Sequence, residues 1–233
     1  MSDVYTWLVT GSSRGLGLEF VRQLVASPSN IVIATCRNPE SATTLSSLDP
    51  ARPGALHIVK LDVNDPASIE SIHDTVASIV GDQGLDYLVN NAAIVSFHYT
   101  AFDFSAETFT ETFQSNILGP ALLARTLAPL IEKSKRKTII NLTSGLGSIG
   151  LTNGPSNLTY STSKAAINMI QAAARPDFIC LTIDPGWCKT DMGGDGAVLE
   201  PSESISSILK LVTNATTEQS GKFFRYDGKE LPW

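Results

Sequence analysis

Cysteine is scarce in this chain and comes in an odd number: Cys36, Cys180 and Cys188 show no paired spacing. So few suggest neither a disulfide framework nor a zinc site. Histidine is equally rare, and His57, His73 and His98 lack ligand spacing, so no metal is expected. Charged residues are only 17% of the chain and their balance is acidic, a net −6. An acidic chain has no electrostatic grip on nucleic acid or on an anionic membrane. No apolar stretch approaches the roughly 18 residues of a membrane span; the best, 121–131, is interrupted by Arg125. The first residues, Met1 to Val4, lack the basic and apolar regions of a secretory signal. A soluble, cytoplasmic protein is the expectation. The Asn-x-Thr sequons at Asn141, Asn157 and Asn214 are then read as chance.

What is present is an α/β pattern over 233 residues, 42% of them hydrophobic, with no linker or repeat to divide 1–233 into parts. Strand-like runs stand at Val4–Val9, Ile31–Thr35, Leu56–Leu61, Leu85–Val89, Thr138–Leu142, Phe178–Ile183 and Lys222–Tyr226. Helical patterns lie between them at Gly15–Ala26, Pro66–Val80, Glu107–Lys133, Tyr160–Ala174 and Ser202–Val212. The strands read as nearly continuous Ile, Val and Leu, the mark of strands covered on both faces. We therefore expect one Rossmann-type, doubly wound parallel sheet of about seven strands, with helices on both faces. Ligands in such sheets bind outside the carboxyl ends of the strands. Four turn-rich loops belong to that edge: Gly11–Gly17, Asn90–Ala93, Thr143–Pro155 and Pro185–Gly196.

The first of these loops, with Gly11, Ser13, Arg14, Gly15, Leu16 and Gly17, joins an apolar strand to an amphipathic helix. Its glycines allow the tight turn and close backbone approach that a pyrophosphate needs, and the helix start offers free N–H groups. A second glycine pattern, Gly145-Leu-Gly-Ser-Ile-Gly150, precedes turn formers rather than a helix and is set aside as a decoy. Dinucleotide folds that choose NAD place an acid at the end of the second strand. Here Arg37 stands there, with Arg14 near in the first loop, which favours the 2′-phosphate of NADP (NADPH) over NAD.

Tyr160 and Lys164, spaced i and i+4 at the start of a helical stretch, share one face. An ammonium beside a phenol pulls its pKa from about 10 towards neutrality, giving a group able to exchange a proton with a carbonyl or alcohol oxygen. Ser144, just past the fifth strand, and Asn116, in Asn-Ile-Leu-Gly119, accompany the pair.

With Thr10–Gly17, Leu61-Asp-Val63, Asn90-Asn-Ala-Ala93, Asn116, Ser144, Tyr160-Ser-Thr-Ser-Lys164 and Asp184-Pro-Gly-Trp-Cys-Lys-Thr190 in order, the chain resembles the short-chain dehydrogenase/reductase family over its whole length. It looks most like the carbonyl-reductase-like branch that contains sniffer and C-factor-type proteins. The resemblance implies an NADP-dependent oxidoreductase interconverting a carbonyl and an alcohol. Tyr160 would be the general acid/base. Lys164 would lower its pKa and hold the nicotinamide ribose, Ser144 would polarise the substrate carbonyl, and Asn116 would hold a water in a proton relay. Asp62 and Val63 would border the adenine, Asn91, Ala92 and Ala93 the adenosine side, and Pro185, Gly186 and Thr190 the nicotinamide. The other reading is a nucleotide-binding protein with a non-redox catalytic or regulatory role.

The chain departs from the family pattern where Ala93 replaces the usual glycine and where Tyr160 follows Ser144 at a longer spacing. Pro176 ends the following helix early, and because the resemblance implies that this helix helps form a subunit interface, a homo-oligomer stays an open alternative. Among the remaining features, Lys133, Lys135, Arg136 and Lys137 are read as cations complementing a helix end. Phe97, Tyr99, Phe102 and Phe104 are read as either a pocket wall or core cover. Cys188 is read as packing. The Gly-rich stretch Met192–Ser204 is read as a short mobile lid that leaves the pocket open to bulky carbonyl substrates.

Overall fold

A computed structural model describes residues 4–96, 102–152, 157–172 and 176–233 (171 and 172 by main chain only). In chain order the elements are β1 (Tyr5–Thr10), α1 (Gly15–Val25), β2 (Asn30–Cys36), the one-turn α2 (Thr43–Ser46), β3 (Leu56–Lys60), α3 (Pro66–Val80) and β4 (Tyr87–Asn90). There follow α4 (Ala106–Phe113), α5 (Gly119–Lys133), β5 (Thr138–Leu142), α6 (Leu158–Ala172), β6 (Ile179–Asp184), α7 (Pro201–Thr213) and β7 (Lys222–Arg225). The strands form one parallel sheet in the order β3-β2-β1-β4-β5-β6-β7. The direction of winding reverses between β1 and β4, and that switch point opens the crevice where a ligand can enter.

Successive residues of each strand enter opposite layers, which is why the strands read as unbroken apolar runs. Val9, Ala34 and Val89 pack with Phe20 and Leu24 of α1 and with Ile205 and Ile208 of α7. Their neighbours Leu8, Ile33 and Leu88 pack with Ile69 and Val76 of α3 and Leu123 and Leu127 of α5. Trp7 and Tyr87, both buried, stack across β1 and β4 with ring centroids 3.7 Å apart. Such a pair contributes about 0.5–1.5 kcal/mol beyond its buried area. Among the described residues no helix is long and apolar enough to cross a membrane.

Several features differ from the sequence expectation. Leu85 lies outside β4, because its amide donates to the Leu130 carbonyl of α5 at 2.9 Å. The helix expected over 107–133 is broken by a π turn at Gln114–Leu118, where the Gly119 amide reaches back to the Gln114 carbonyl. Pro120 follows and has no N–H for the Asn116 carbonyl, its α-helical partner. Of the basic run, Lys133 lies in the last turn of α5 as expected, whereas the Arg136 guanidinium lies 5.0 Å from the Tyr5 ring centroid and Lys137 pairs with Asp177 at 3.8 Å. Of the sequons, Asn141 lies inside β5, and both it and Asn157 are buried.

Candidate active site

At the carboxyl edge of β1 the chain turns through Gly11, with φ +68°, and Gly15, with φ +56°, into α1. A Cβ on Gly17 would fall 2.2 Å from the Gly11 carbonyl oxygen, so only glycine lets the first turn of α1 lie on the loop. The helix begins at Arg14 with no side-chain cap and no acid in its first turn, leaving its amides to an outside anion. Thr10, not singled out in the sequence, ties this loop to the β4 loop. Its Oγ1 accepts from the Asn91 and Ala92 amides at 3.0 and 2.9 Å, and Asn91 Nδ2 donates to its carbonyl at 2.7 Å. Gly17→Ala is therefore expected to cost roughly 1–3 kcal/mol through overpacking; urea unfolding midpoints would show it, and an unchanged midpoint would refute the cradle.

These loops wall a cleft of about 440 Å³, and every expected cofactor-binding residue except Gly186 lines it. Gly186, φ +77°, instead backs the site: a Cβ there would press on Leu199 and the Tyr226 ring at 2.9 and 3.1 Å. Arg37 is exposed at the end of β2 on the cleft wall. Arg14, also on the cleft wall, pairs at 3.3 Å with Asp191, which lines the same cleft. Ile94, Thr143 and Met192 also line it; Thr143 and Met192 belong to loops expected at this edge, and only Ile94 lies just past one.

The catalytic candidates converge at the same edge through α6. Asn157 Oδ1 accepts from the Tyr160 amide at 3.1 Å and from Thr159 Oγ1 at 3.2 Å, fixing the start of the helix. Ser144 Oγ accepts from the Leu146 amide at 3.1 Å and lies near enough to the Tyr160 phenol to lower its pKa. The buried Lys164 ammonium donates to the Leu142 carbonyl at 2.8 Å and stands 5.5 Å from the Tyr160 ring centroid. Burial lowers its pKa to about 8. The phenol moves the other way from the sequence expectation. Burial, then the charge of Asp184, push its pKa well up, while the Ser144 hydrogen bond opposes them.

Asn116, buried at the π turn, is a clamp. Its Oδ1 accepts from the Ile94 amide at 2.9 Å, and its Nδ2 donates to the Ile94 carbonyl at 2.9 Å and to Ser163 Oγ at 3.0 Å. The water-holding role expected of this residue finds both side-chain polar atoms already partnered. The decoy glycines have a packing role. A Cβ on Gly147 would fall 2.7 Å from the Lys164 backbone, so this glycine lets α6 approach β5.

The pattern of the short chain dehydrogenase family matches residues 6–197. The chain belongs to the short-chain dehydrogenase family. An uncharacterized oxidoreductase of Schizosaccharomyces pombe is 32% identical over 97% of both chains. NADPH-bound carbonyl reductase from chicken fatty liver is 33% identical, with a TM-score of 0.91 over 99% of this chain and all of that one. Carbonyl reductase Sniffer of Drosophila melanogaster is 32% identical, with a TM-score of 0.92 over the same shares.

Around the cleft of this short-chain dehydrogenase, two further expectations change. The stretch after β6 is held rather than loose: the Lys189 amide donates to the Leu199 carbonyl at 2.9 Å and Trp187 Nε1 donates to the Gly193 carbonyl at 2.8 Å. Phe102 is 94% exposed and Phe104 packs on Phe109, so neither walls the cleft; Phe97 and Tyr99 lie outside the described residues. Cys188 is buried, its thiol donates to the Pro185 carbonyl at 3.2 Å, and burial pushes its pKa up, in keeping with packing.

Proposed function

We propose that the chain is an NADPH-dependent carbonyl reductase whose general acid is Tyr160. The observation that carries this reading is the meeting of Tyr160 and Lys164 with the glycine cradle on one cleft, Ser144 lying against the phenol. The cradle residues fit a pyrophosphate, and Arg37 on the wall suits a 2′-phosphate. NADPH, when bound, supplies the hydride.

The chain's own residues do the rest. Tyr160 gives its proton to the carbonyl oxygen, and burial keeps that proton in place until it is needed. Ser144, with one lone pair taken by the Leu146 amide, hydrogen-bonds the same oxygen and orients it. Lys164 holds the ribose hydroxyls and carries a proton to replace the one Tyr160 gives up. Asn116 fixes Ile94 and Ser163 around them, and its main-chain carbonyl, to which Pro120 offers no N–H, takes the relay water.

The reading is tested by mixing the protein with NADPH and a panel of aldehydes, ketones and quinones while following the absorbance of reduced nicotinamide. Oxidation with some of them is expected; NADPH that binds and is never oxidised would replace the enzyme with a nucleotide binder. Arg37→Ala is expected to lower kcat/KM for NADPH about 10–100-fold, the worth of a charge-assisted contact, and to leave NADH use unchanged. Equal losses with both coenzymes would remove Arg37 from 2′-phosphate recognition.

A further inference from the structure

Gly145, Gly147 and Gly150, set aside in the sequence as a decoy, shape the loop that carries Ser144. Gly145–Gly147 is one turn of 3₁₀ helix, closed by the Gly147 amide on the Ser144 carbonyl at 2.9 Å and the Ser148 amide on the Gly145 carbonyl at 3.1 Å. Just past that turn the loop meets residues 84 positions away in sequence. The buried Ser148 uses its hydroxyl both ways: Oγ donates to the Pro232 carbonyl at 2.7 Å and accepts from the Leu151 amide at 3.1 Å. The Gly150 amide donates to the Trp233 carbonyl at 2.8 Å. A Cβ on Gly150 would fall 3.1 Å from that oxygen and 3.3 Å from Pro232, so the glycine lets the two segments lie together.

Pro232 and Trp233 are anchored in their turn. After β7 the chain reverses through Gly228, φ +86°, and runs back antiparallel to it. The Arg225 amide donates to the Lys229 carbonyl and the Leu231 amide to the Phe223 carbonyl, both at 2.8 Å. The Trp233 ring then stacks on the buried Phe223, centroids 5.6 Å apart. The loop's other hold is on α6, where Gly147 lies against the Lys164 backbone and Asn168 Nδ2 donates to the Gly147 carbonyl at 3.3 Å. The Ser144 loop is thus tied both to the helix of Tyr160 and to the edge strand β7.

A single 3₁₀ turn has poor hydrogen-bond geometry and holds its own shape weakly. A hydroxyl that orients a reacting carbonyl must nevertheless stay within about 0.5 Å of its working position. Ser148, Gly150, Pro232 and Trp233 do not line the cleft, so they can act on the chemistry only through the loop they hold. We propose that Ser148, Pro232 and Trp233 are positioning residues: they clasp the loop so that Ser144 meets the substrate carbonyl. This rests on the carbonyl-reductase reading, in which Ser144 orients the carbonyl oxygen. The glycine cradle lies on other loops, so the clasp serves the reacting step and not NADPH binding.

The test is single-turnover reduction of a carbonyl from the active panel, with NADPH sites counted by fluorescence titration so that rates refer to folded protein. Ser148→Ala and Trp233→Ala are each expected to lower the rate about tenfold, the cost of a modest misplacement. Trp233→Phe, which keeps a ring on Phe223, should restore most of it, and NADPH affinity should hold throughout. In a Ser144→Ala background, Ser148→Ala should cost less than about twofold, because the group it positions is gone. Equal losses in the two backgrounds, or no loss in either, would overturn the proposal and leave residues 232–233 a cover for β7. Amide exchange, which needs no substrate, is read on the same proteins. Ser148→Ala should speed exchange at Gly147 and Gly150 about tenfold as the loop opens, and unchanged exchange would equally overturn the clasp. Faster exchange in a protein that reduces no carbonyl would uphold the clasp and sink the function instead.

Discussion

Tyr160→Phe is expected to lower kcat for carbonyl reduction by about 10³-fold, within the range that general acids contribute, while NADPH binds within about threefold of wild type. The change removes one oxygen from a phenol that lies beside Ser144 and whose ring backs the Lys164 ammonium. The glycine cradle, Thr10 and Asn91 lie on other elements and keep their contacts, which is why binding survives. Folding should survive as well, because a lone hydrogen bond is worth only about 1 kcal/mol. Stopped-flow reduction and a fluorescence titration of NADPH separate the two effects. A loss under tenfold would mean that another group, with Ser144 first in line, donates the proton.

Lys164→Met is expected to make the protein more stable at pH 7 and inactive. Burial takes the Lys164 pKa from its usual 10.5 to about 8. At about 1.36 kcal/mol for each tenfold step, carrying the charge costs about 3 kcal/mol, and a methionine avoids it while filling the same space. Losing the bond to the Leu142 carbonyl returns about 1 kcal/mol, so the net gain is about 2 kcal/mol. The pH dependence fixes the sign. Below pH 8 both folded and unfolded wild type carry the ammonium, and the cost is present in full. Between pH 8 and 10.5 the unfolded chain binds more protons than the folded one, so wild-type stability rises with pH and the advantage of methionine shrinks. Urea midpoints of the two proteins at pH 7 and at pH 10 measure this. A variant less stable than wild type at pH 7 would show that the ammonium gains more from its surroundings than burial takes away. The expected trade of stability for function is the mark of a group kept for chemistry.

How much of this was legible in the sequence depends on whether the cause was local. The turn at Gly11–Gly17 was legible because backbone freedom and an uncapped helix start are properties of a few adjacent residues. The strands were legible because Leu8 and Val9, on opposite faces, are both covered and so both apolar. Tyr160 and Lys164 were legible as a spacing. The direction in which the phenol is pushed was not, because it depends first on burial and then on Asp184, both products of the assembled fold. The Asn116 clamp on Ile94 and Ser163 was hidden in the same way, and the π turn carrying it leaves no break in apolar periodicity. Arg14 lines the cleft as its loop position suggested, but its ion pair with Asp191, 177 residues on, was not legible. Phe102 failed for the opposite reason: a cluster of aromatics in sequence does not say which ones turn outward.

The most direct measurement follows the hydrogen itself. Protein, a carbonyl substrate from the active panel and NADPH deuterated at the transferable C4 position are incubated in ordinary water, and the alcohol is weighed by mass spectrometry. One deuterium on the carbinol carbon, in alcohol that Tyr160→Phe forms about 10³-fold more slowly, is the predicted result. Alcohol without deuterium, or deuterated alcohol made at the wild-type rate by Tyr160→Phe, would contradict the account.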